Sequence, residues 1–237
     1  MKSDELTIKI FADGADINNI SQFSKVSCVK GFTTNPSLMR HAGVTNYRGF
    51  AEEILDIVKT LPVSLEVFAD EIDDMFEQAK TISKLAKNVY VKIPVINSKG
   101  ESTKDVISSL VKEGVPVNLT AIMTDKQVES LLSYVDVDSN LILSIFAGRI
   151  ADTGCDPCPI VKSSVVMANN FKNIEVLWAS TREVYNVIQA QSVGCHIITM
   201  PYTFIKKLDL FGKDLNEYSR ETAETFFLDA KNSGFKI

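Results

Sequence analysis

The chain has 237 residues, 45% of them hydrophobic and 23% charged, which suits one large α/β domain or two small ones with a core that needs no staples. A net charge of −5 argues against a general nucleic-acid binder. No apolar run approaches the ~18–20 residues of a membrane span, and the opening "MKSDELTIKI" has no apolar signal-peptide region, so a cytoplasmic protein is expected.

Short β-branched runs alternate with stretches of helical spacing. The first two candidate strands are "TIKIFAD" over 7–13 and "VKGFTTN" over 29–35. A helix is predicted over 46–61, where Phe50, Ile54, Ile57, Val58 and Leu61 fall on one face. Strand "VSLEVFA" 63–69 follows, then a helix over 73–88 with Met75, Phe76, Ala79, Ile82 and Leu85 aligned, then strand "NVYVKIPV" 88–95. Next come strand "VPVNLTAI" 115–122, a helix over 125–135 and strand "LILSIFAG" 141–148. Strand "IEVLWAS" 174–180 leads to a helix over 182–194 whose stop is Gly194. Strand "HIITMPY" 196–202 and a longer helix over 212–234 close the chain.

Strand–helix alternation predicts a parallel sheet covered by helices. Eight such units predict an α/β fold of the (β/α)8 TIM-barrel class at its compact limit, with a C-terminal helical extension. A doubly wound sheet fits less well, because "FADGADINN" is not the Gly-rich turn that usually follows its first strand. No linker or compositional break appears, so residues 1–237 are read as a single domain. The cysteines stand at 28, 155, 158 and 195. "CDPC" has metal-like spacing, but only His41 and His196 could complete a site, and no strand runs straight into a helix there. Reduced thiols and no metal are expected.

Lys92 sits in the middle of the apolar run "NVYVKIPV". Lysine is seldom fully buried without a partner, and a desolvated ammonium tends to lose its proton. The other strands carry unusual polar residues towards their C-terminal ends: Asp13, Thr33 and Asn35, Glu66, Asn118 and Thr120, Ser144, and Ser180, with Arg149 and Arg182 just beyond. Side chains alternate faces along a strand. Phe32, Leu65, Val67, Val91, Ile93, Leu119 and Ile145 take the outward positions, so the polar set points inward at the C-terminal mouth. Phe146 shares the parity of Ser144, and Trp178 and Tyr90 are read as inward, barrel-filling core.

This set predicts chemistry. A neutral lysine amine attacks a carbonyl to form a Schiff base, an electron sink for making or breaking the adjacent C–C bond. Glu66 and Asp13 are candidate acid/base groups. Asn, Thr and Ser suit a polyhydroxylated substrate, and Arg149 and Arg182 around Ser180 suit an anion clamp.

The segments "GFTTNPSLM", "YVKIPV", "VNLTAI", "SIFAGRI" and "WASTR", in this order, resemble the transaldolase family, which includes a short fructose-6-phosphate aldolase-like subgroup. The resemblance runs from Asp13 to about Pro201. It implies a (β/α)8 barrel, a cofactor-free class I mechanism, sugar-phosphate substrates of the kind met in pentose phosphate metabolism, and a homo-oligomer. It also implies roles. Lys92 matches the Schiff-base lysine and Asp13 the group that moves the proton of the sugar C4 hydroxyl. Glu66 and Thr120 match the pair that handles a catalytic water; Asn35 and Asn118 match substrate-holding asparagines beside Thr33. Ser144 matches a contact to the dihydroxyacetone end, and Arg149, Ser180 and Arg182 the phosphate site. Aldolase members of the family have Tyr at the position of Phe146 and Gln at that of Glu66, so this chain resembles the transferases at both. The expected activity is transfer of a dihydroxyacetone unit from a ketose phosphate to an aldose phosphate. The alternatives are release of free dihydroxyacetone and a non-catalytic sugar-phosphate-binding barrel.

Overall fold

The computed structural model describes residues 3–236. Eight parallel strands close on themselves in chain order. They are β1 (Lys9–Asp13), β2 (Val29–Thr33), β3 (Val63–Glu66), β4 (Val89–Pro94), β5 (Val117–Ile122), β6 (Leu141–Ile145), β7 (Ile174–Trp178) and β8 (Ile197–Pro201). The fold is a (β/α)8 barrel.

The helices are α1 (Ile17–Phe23), α2 (Pro36–His41), α3 (Tyr47–Ile57), α4 (Ile72–Ser83), α5 (Lys104–Lys112), α6 (Asp125–Leu132), α7 (Ala147–Asp152), α8 (Cys158–Ala168), α9 (Asn186–Ser192), α10 (Tyr202–Lys207) and α11 (Leu215–Ser233). The four intervening helices predicted from spacing all form, each shorter than its periodic stretch. Asn46 caps α3 by accepting from Gly49 N, and Thr124 with Gln127 makes a capping box on α6. Gly194 after α9 and Gly234 after α11 both have positive φ, as helix stops require. The contacts divide the chain into a barrel unit, Thr7–Ile205, and a smaller unit built from the residues before and after it. Among the described residues no helix is long and apolar enough to cross a membrane. Cys155, Cys158 and Cys195 are free thiols.

The strands end earlier than their apolar runs. Asn35 leaves β2 and caps α2, accepting from Leu38 N, with Pro36 at the first helical position. Phe146 lies past the end of β6 as the residue that opens α7. Ser180 lies two residues beyond β7, with φ +65°.

The barrel interior is filled by Phe11, Ile142, Leu177, Ala179 and Ile197, with Tyr90 and Phe146 packed against them. This corrects the reading of Trp178. It pairs in register with Ile145 and Ile198, and neighbours in a parallel register share a face. Leu177 and Ala179 are the inward residues of this segment, so Trp178 points outward, where it is fully buried. The sequence parity failed because Ser180 was counted as strand. Strand β5 carries a second irregularity: its register shifts between Leu119 and Ile122, and Ala121 sits at φ +62°. The bulge leaves Ile122 level with the outward Ile145 while Thr120 stays on the mouth side.

Candidate active site

A cavity of about 500 Å³ opens at the C-terminal ends of the strands. Its wall brings together Asp13, Thr33, Asn35, Glu66, Lys92, Thr120, Ser144, Phe146, Arg149, Ser180 and Arg182. Asn118 is not on that wall. It is fully buried, and its Nδ2 donates to Ser64 Oγ at 2.9 Å while its Oδ1 accepts from Ser144 Oγ at 2.6 Å. Asn118 therefore braces Ser144 rather than facing the open space.

Lys92 is the centre of the site. Register places Glu66, Lys92 and Asn118 side by side on β3, β4 and β5. The lysine is 9% exposed, but its surroundings are not apolar, which corrects the reading from the sequence. Its Nζ donates to Glu66 Oε1 at 3.0 Å and to the Thr34 carbonyl at 2.6 Å. The other carboxylate oxygen, Glu66 Oε2, accepts from Thr34 Oγ1 at 2.9 Å. Each polar group of this buried pair thus has a partner, as burial of charge requires. Thr120 Oγ1, on this wall, is buried and has no hydrogen-bond partner among the described residues.

Asp13 stands across the mouth at the end of β1. Burial pushes its carboxyl above the usual carboxylate range, with the Lys92 ammonium and the Thr33 hydrogen bond opposing. Thr33 Oγ1 donates to Asp13 Oδ1 at 2.8 Å.

The rim is cationic. The Arg149 guanidinium lies over the Phe146 ring, 5.1 Å from its centroid, and no hydrogen bond or ion pair joins it to the described residues. Arg182 differs. Its Nε and Nη2 bind Asp152 in a bidentate pair, and Nη1 donates to the Ser180 carbonyl at 3.0 Å. That pairing holds the Asp152 carboxyl below its usual range. Asn186 Oδ1 accepts from the backbone of Arg182 and Glu183 and fixes the turn. Gly148 lets α7 approach the turn after β7, because a Cβ there would fall 1.6 Å from the Ser180 carbonyl oxygen.

The geometry also includes residues that the sequence reading did not single out. Ser64 lies two residues before Glu66 on the same face, so period-two alternation could have found it. Thr199 shares the inward parity of Ile197 on β8 and is also on the wall. Thr34 has no such signal, since it acts from a loop through both its carbonyl and its hydroxyl. Cys155 and Cys158 are not on the wall, and burial with Asp156 pushes the Cys158 thiol up to about 11, away from reactive thiolate character.

A family model described as Transaldolase/Fructose-6-phosphate aldolase matches residues 10–237. The chain belongs to the transaldolase/fructose-6-phosphate aldolase family. It is a transaldolase-like enzyme. A probable transaldolase of Thermoanaerobacter sp. is 32% identical over 204 residues, covering 85% of this chain and 89% of the relative. One from Clostridium botulinum is 34% identical over 202 residues, covering 84% and 87%. Among solved structures, dihydrodipicolinate synthase from Thermotoga maritima superposes with a TM-score of 0.58 at 10% identity, covering 92% of this chain and 80% of that one. A likeness at that identity concerns the barrel alone.

The close approach at Gly148 generates a test within this family site. Gly148→Ala has to push the Ser180 backbone aside, so it should lower the unfolding free energy by about 1–3 kcal/mol. It should also weaken binding of anionic substrates. A variant with unchanged thermal midpoint and unchanged substrate affinity would show that the 180–183 turn moves freely.

Proposed function

We propose that this protein is a transaldolase-type transferase that moves a dihydroxyacetone unit from a ketose phosphate, such as fructose 6-phosphate or sedoheptulose 7-phosphate, to an aldose phosphate through a Schiff base on Lys92. The observation that carries the reading is the Lys92 Nζ–Glu66 Oε1 contact of 3.0 Å at the floor of the cavity. Glu66 takes the ammonium proton, and the neutral Nζ adds to the ketose C2 carbonyl. Loss of water from the carbinolamine needs a proton on the departing oxygen, which Glu66 returns with the Thr120 hydroxyl alongside. Asp13 then accepts the C4 hydroxyl proton while the C3–C4 bond breaks. The aldehyde leaves, and the bonding pair remains as an enamine on Lys92. Addition of the acceptor aldehyde runs these steps backwards, with Asp13 returning the proton. Ser144, Thr33 and Asn35 are assigned to the substrate hydroxyls, with Asn118 acting through Ser144. The phosphate end is assigned to Arg149, Ser180 and the remaining donors of Arg182.

We also infer that the chain acts in the cytoplasm as one functional domain, without nucleic acid, in carbohydrate metabolism of the pentose phosphate kind. A homo-oligomer is supported by α11, where Leu215, Phe226 and Phe227 are each at least 65% exposed.

The decisive experiment treats the protein with dihydroxyacetone and borohydride and reads the intact mass. The parent protein should gain one reduced three-carbon adduct. Lys92→Met, similar in length but lacking the amine, should gain none and lose turnover while remaining folded. Near-normal activity in that variant would sink the Schiff-base assignment, and a parent protein that takes no label would favour a sugar-phosphate-binding barrel.

Arg149, with its hydrogen-bonding edge unspent, is the main phosphate group in this reading. Arg149→Ala should cost about 1.5–3 kcal/mol in kcat/KM for phosphorylated ketoses. Free dihydroxyacetone as donor should be affected far less, and equal losses on both would mean that the arginine supports the loop instead.

Phe146 separates transfer from simple cleavage. The enamine is either captured by an aldehyde or protonated and hydrolysed, and the second fate needs a placed hydroxyl or water. Phe146 offers a ring already covered by Arg149. Phe146→Tyr adds one hydroxyl at nearly constant volume. It should raise free dihydroxyacetone relative to transfer product, and even a fraction of the ~10²–10⁴-fold typical of acid–base help would be visible. An unchanged ratio in a folded variant would show that residue 146 does not reach the enamine.

A further inference from the structure

The buried hydroxyl of Thr199 has no part in the steps above. It projects inward from β8, 6% exposed, and its Oγ1 lies 2.5 Å from Thr33 Oγ1. Thr33 in turn donates to Asp13 Oδ1 at 2.8 Å. A second acceptor for Thr199, the Phe11 carbonyl, lies at 3.4 Å. Two hydroxyls, from β8 and β2, thus form an unbroken line ending on one oxygen of the carboxyl that faces the cavity from β1, the strand between them.

A hydroxyl has one hydrogen to donate and can accept as well. Thr33 cannot donate to Asp13 and to Thr199 at once. If Thr33 gave its hydrogen to Thr199, the ionised Asp13 Oδ1 would face a lone pair. Donation by Thr199 to Thr33 therefore commits the Thr33 hydrogen to the carboxylate, and it leaves Asp13 Oδ2 as the oxygen available to substrate. When Asp13 carries a proton on Oδ1 the line reverses: Asp13 donates to Thr33, Thr33 to Thr199, and Thr199 to the Phe11 carbonyl. Every hydroxyl hydrogen has an acceptor in both states.

We propose that Thr199 is a positioning residue for the proton-transfer step: through Thr33 it orients the Asp13 carboxyl and keeps it hydrogen-bonded whether ionised or protonated. This rests on Asp13 being the group that accepts the C4 hydroxyl proton. Asp13 is also faced by Lys92 from β4 and Glu66 from β3, and Tyr202 from α10 lies in the field of Asp13 and of Asp16 in the following loop. None of these touches Thr199 in the hydrogen-bond network, so a change at Thr199 leaves them in place.

The test compares Thr199→Val, which keeps the shape and deletes the hydroxyl, with Thr199→Ser, which keeps the hydroxyl. In Thr199→Val the Thr33 hydrogen loses its acceptor only when Asp13 is protonated on Oδ1, so the protonated state is the one disfavoured. The acid limb of kcat for ketose cleavage should then move to lower pH by about half a unit or more. Its plateau should fall about tenfold, as for loss of one hydrogen bond, with KM little changed. Thr199→Ser should restore both. Titration of the Asp13 carboxyl by NMR, assigned with Asp13→Asn, should show the same downward movement without reference to turnover. A Val variant with the parent's kcat, acid limb and Asp13 midpoint would overturn the proposal, and so would equal losses in Val and Ser. Borohydride trapping with dihydroxyacetone, which needs no C4 proton, should be normal in both variants. Its failure in the parent protein would overturn the Schiff-base reading, while the Asp13 midpoint would still decide the role of Thr199.

Discussion

The buried contact between Lys92 and Glu66 is the constraint around which the rest of the site is arranged. Two charges with side chains 10% and 7% exposed are costly to remove from water, by several kcal/mol each in effective terms. Attraction at 3.0 Å offsets that cost only if the remaining lone pairs and hydrogens are also used. They are used by Thr34, which accepts from the lysine through its carbonyl and donates to the carboxylate through its hydroxyl. Thr34 follows directly on β2, Glu66 ends β3 and Lys92 lies in β4, so the pair is satisfied only when three successive strands are in register. Barrel closure and the chemistry at its mouth are in this sense the same requirement.

The rim obeys a different logic. Its cations are solvent-accessible and gain little from single ion pairs, so position comes from backbone geometry. Ser180 takes a left-handed conformation that is unfavourable for a residue with a Cβ, by roughly 1–2 kcal/mol. Its carbonyl comes so near Gly148 that no other residue fits there unmoved. The Arg182 fork, closed on Asp152 and on that same carbonyl, and the Asn186 side chain over the turn hold the strained conformation from both sides. Backbone strain of this kind persists only where surrounding contacts over-determine it, and here those contacts join α7 to the turn after β7.

This difference explains what could be read from the sequence. Strand–helix alternation fixed the barrel, because each strand is a β-branched run and most intervening helices carry an apolar stripe. Inward parity placed Glu66, Lys92 and Ser144 on the cavity because they sit on regular strand, and Thr120 kept the mouth side although it lies where the β5 register shifts. The parity failed where regularity ended. Alternation puts Trp178 inward only if the strand runs on to Ser180, whereas the chain leaves β geometry after residue 178. Asn118 kept its face but is fully buried against Ser64 and Ser144 and does not line the cavity. The polarity around Lys92 was invisible for another reason. One of its two partners is a main-chain carbonyl, and no side-chain pattern reports where a carbonyl points.

The proposed mechanism gives the two acidic groups at the mouth different work because their partners differ. Glu66 is tied to Lys92 and Thr34 through both oxygens, so any proton it takes comes from or returns to the immediate surroundings of the amine. Asp13 has one oxygen held by Thr33, and burial outweighs the stabilising effect of Lys92 on its charged form. A carboxyl raised in this way is a stronger base when ionised and a readier resting place for a proton than one at its ordinary value. In the proposed mechanism, proton exchange at the amine and proton exchange at the sugar hydroxyl therefore fall to separate carboxylates, one from β3 and one from β1.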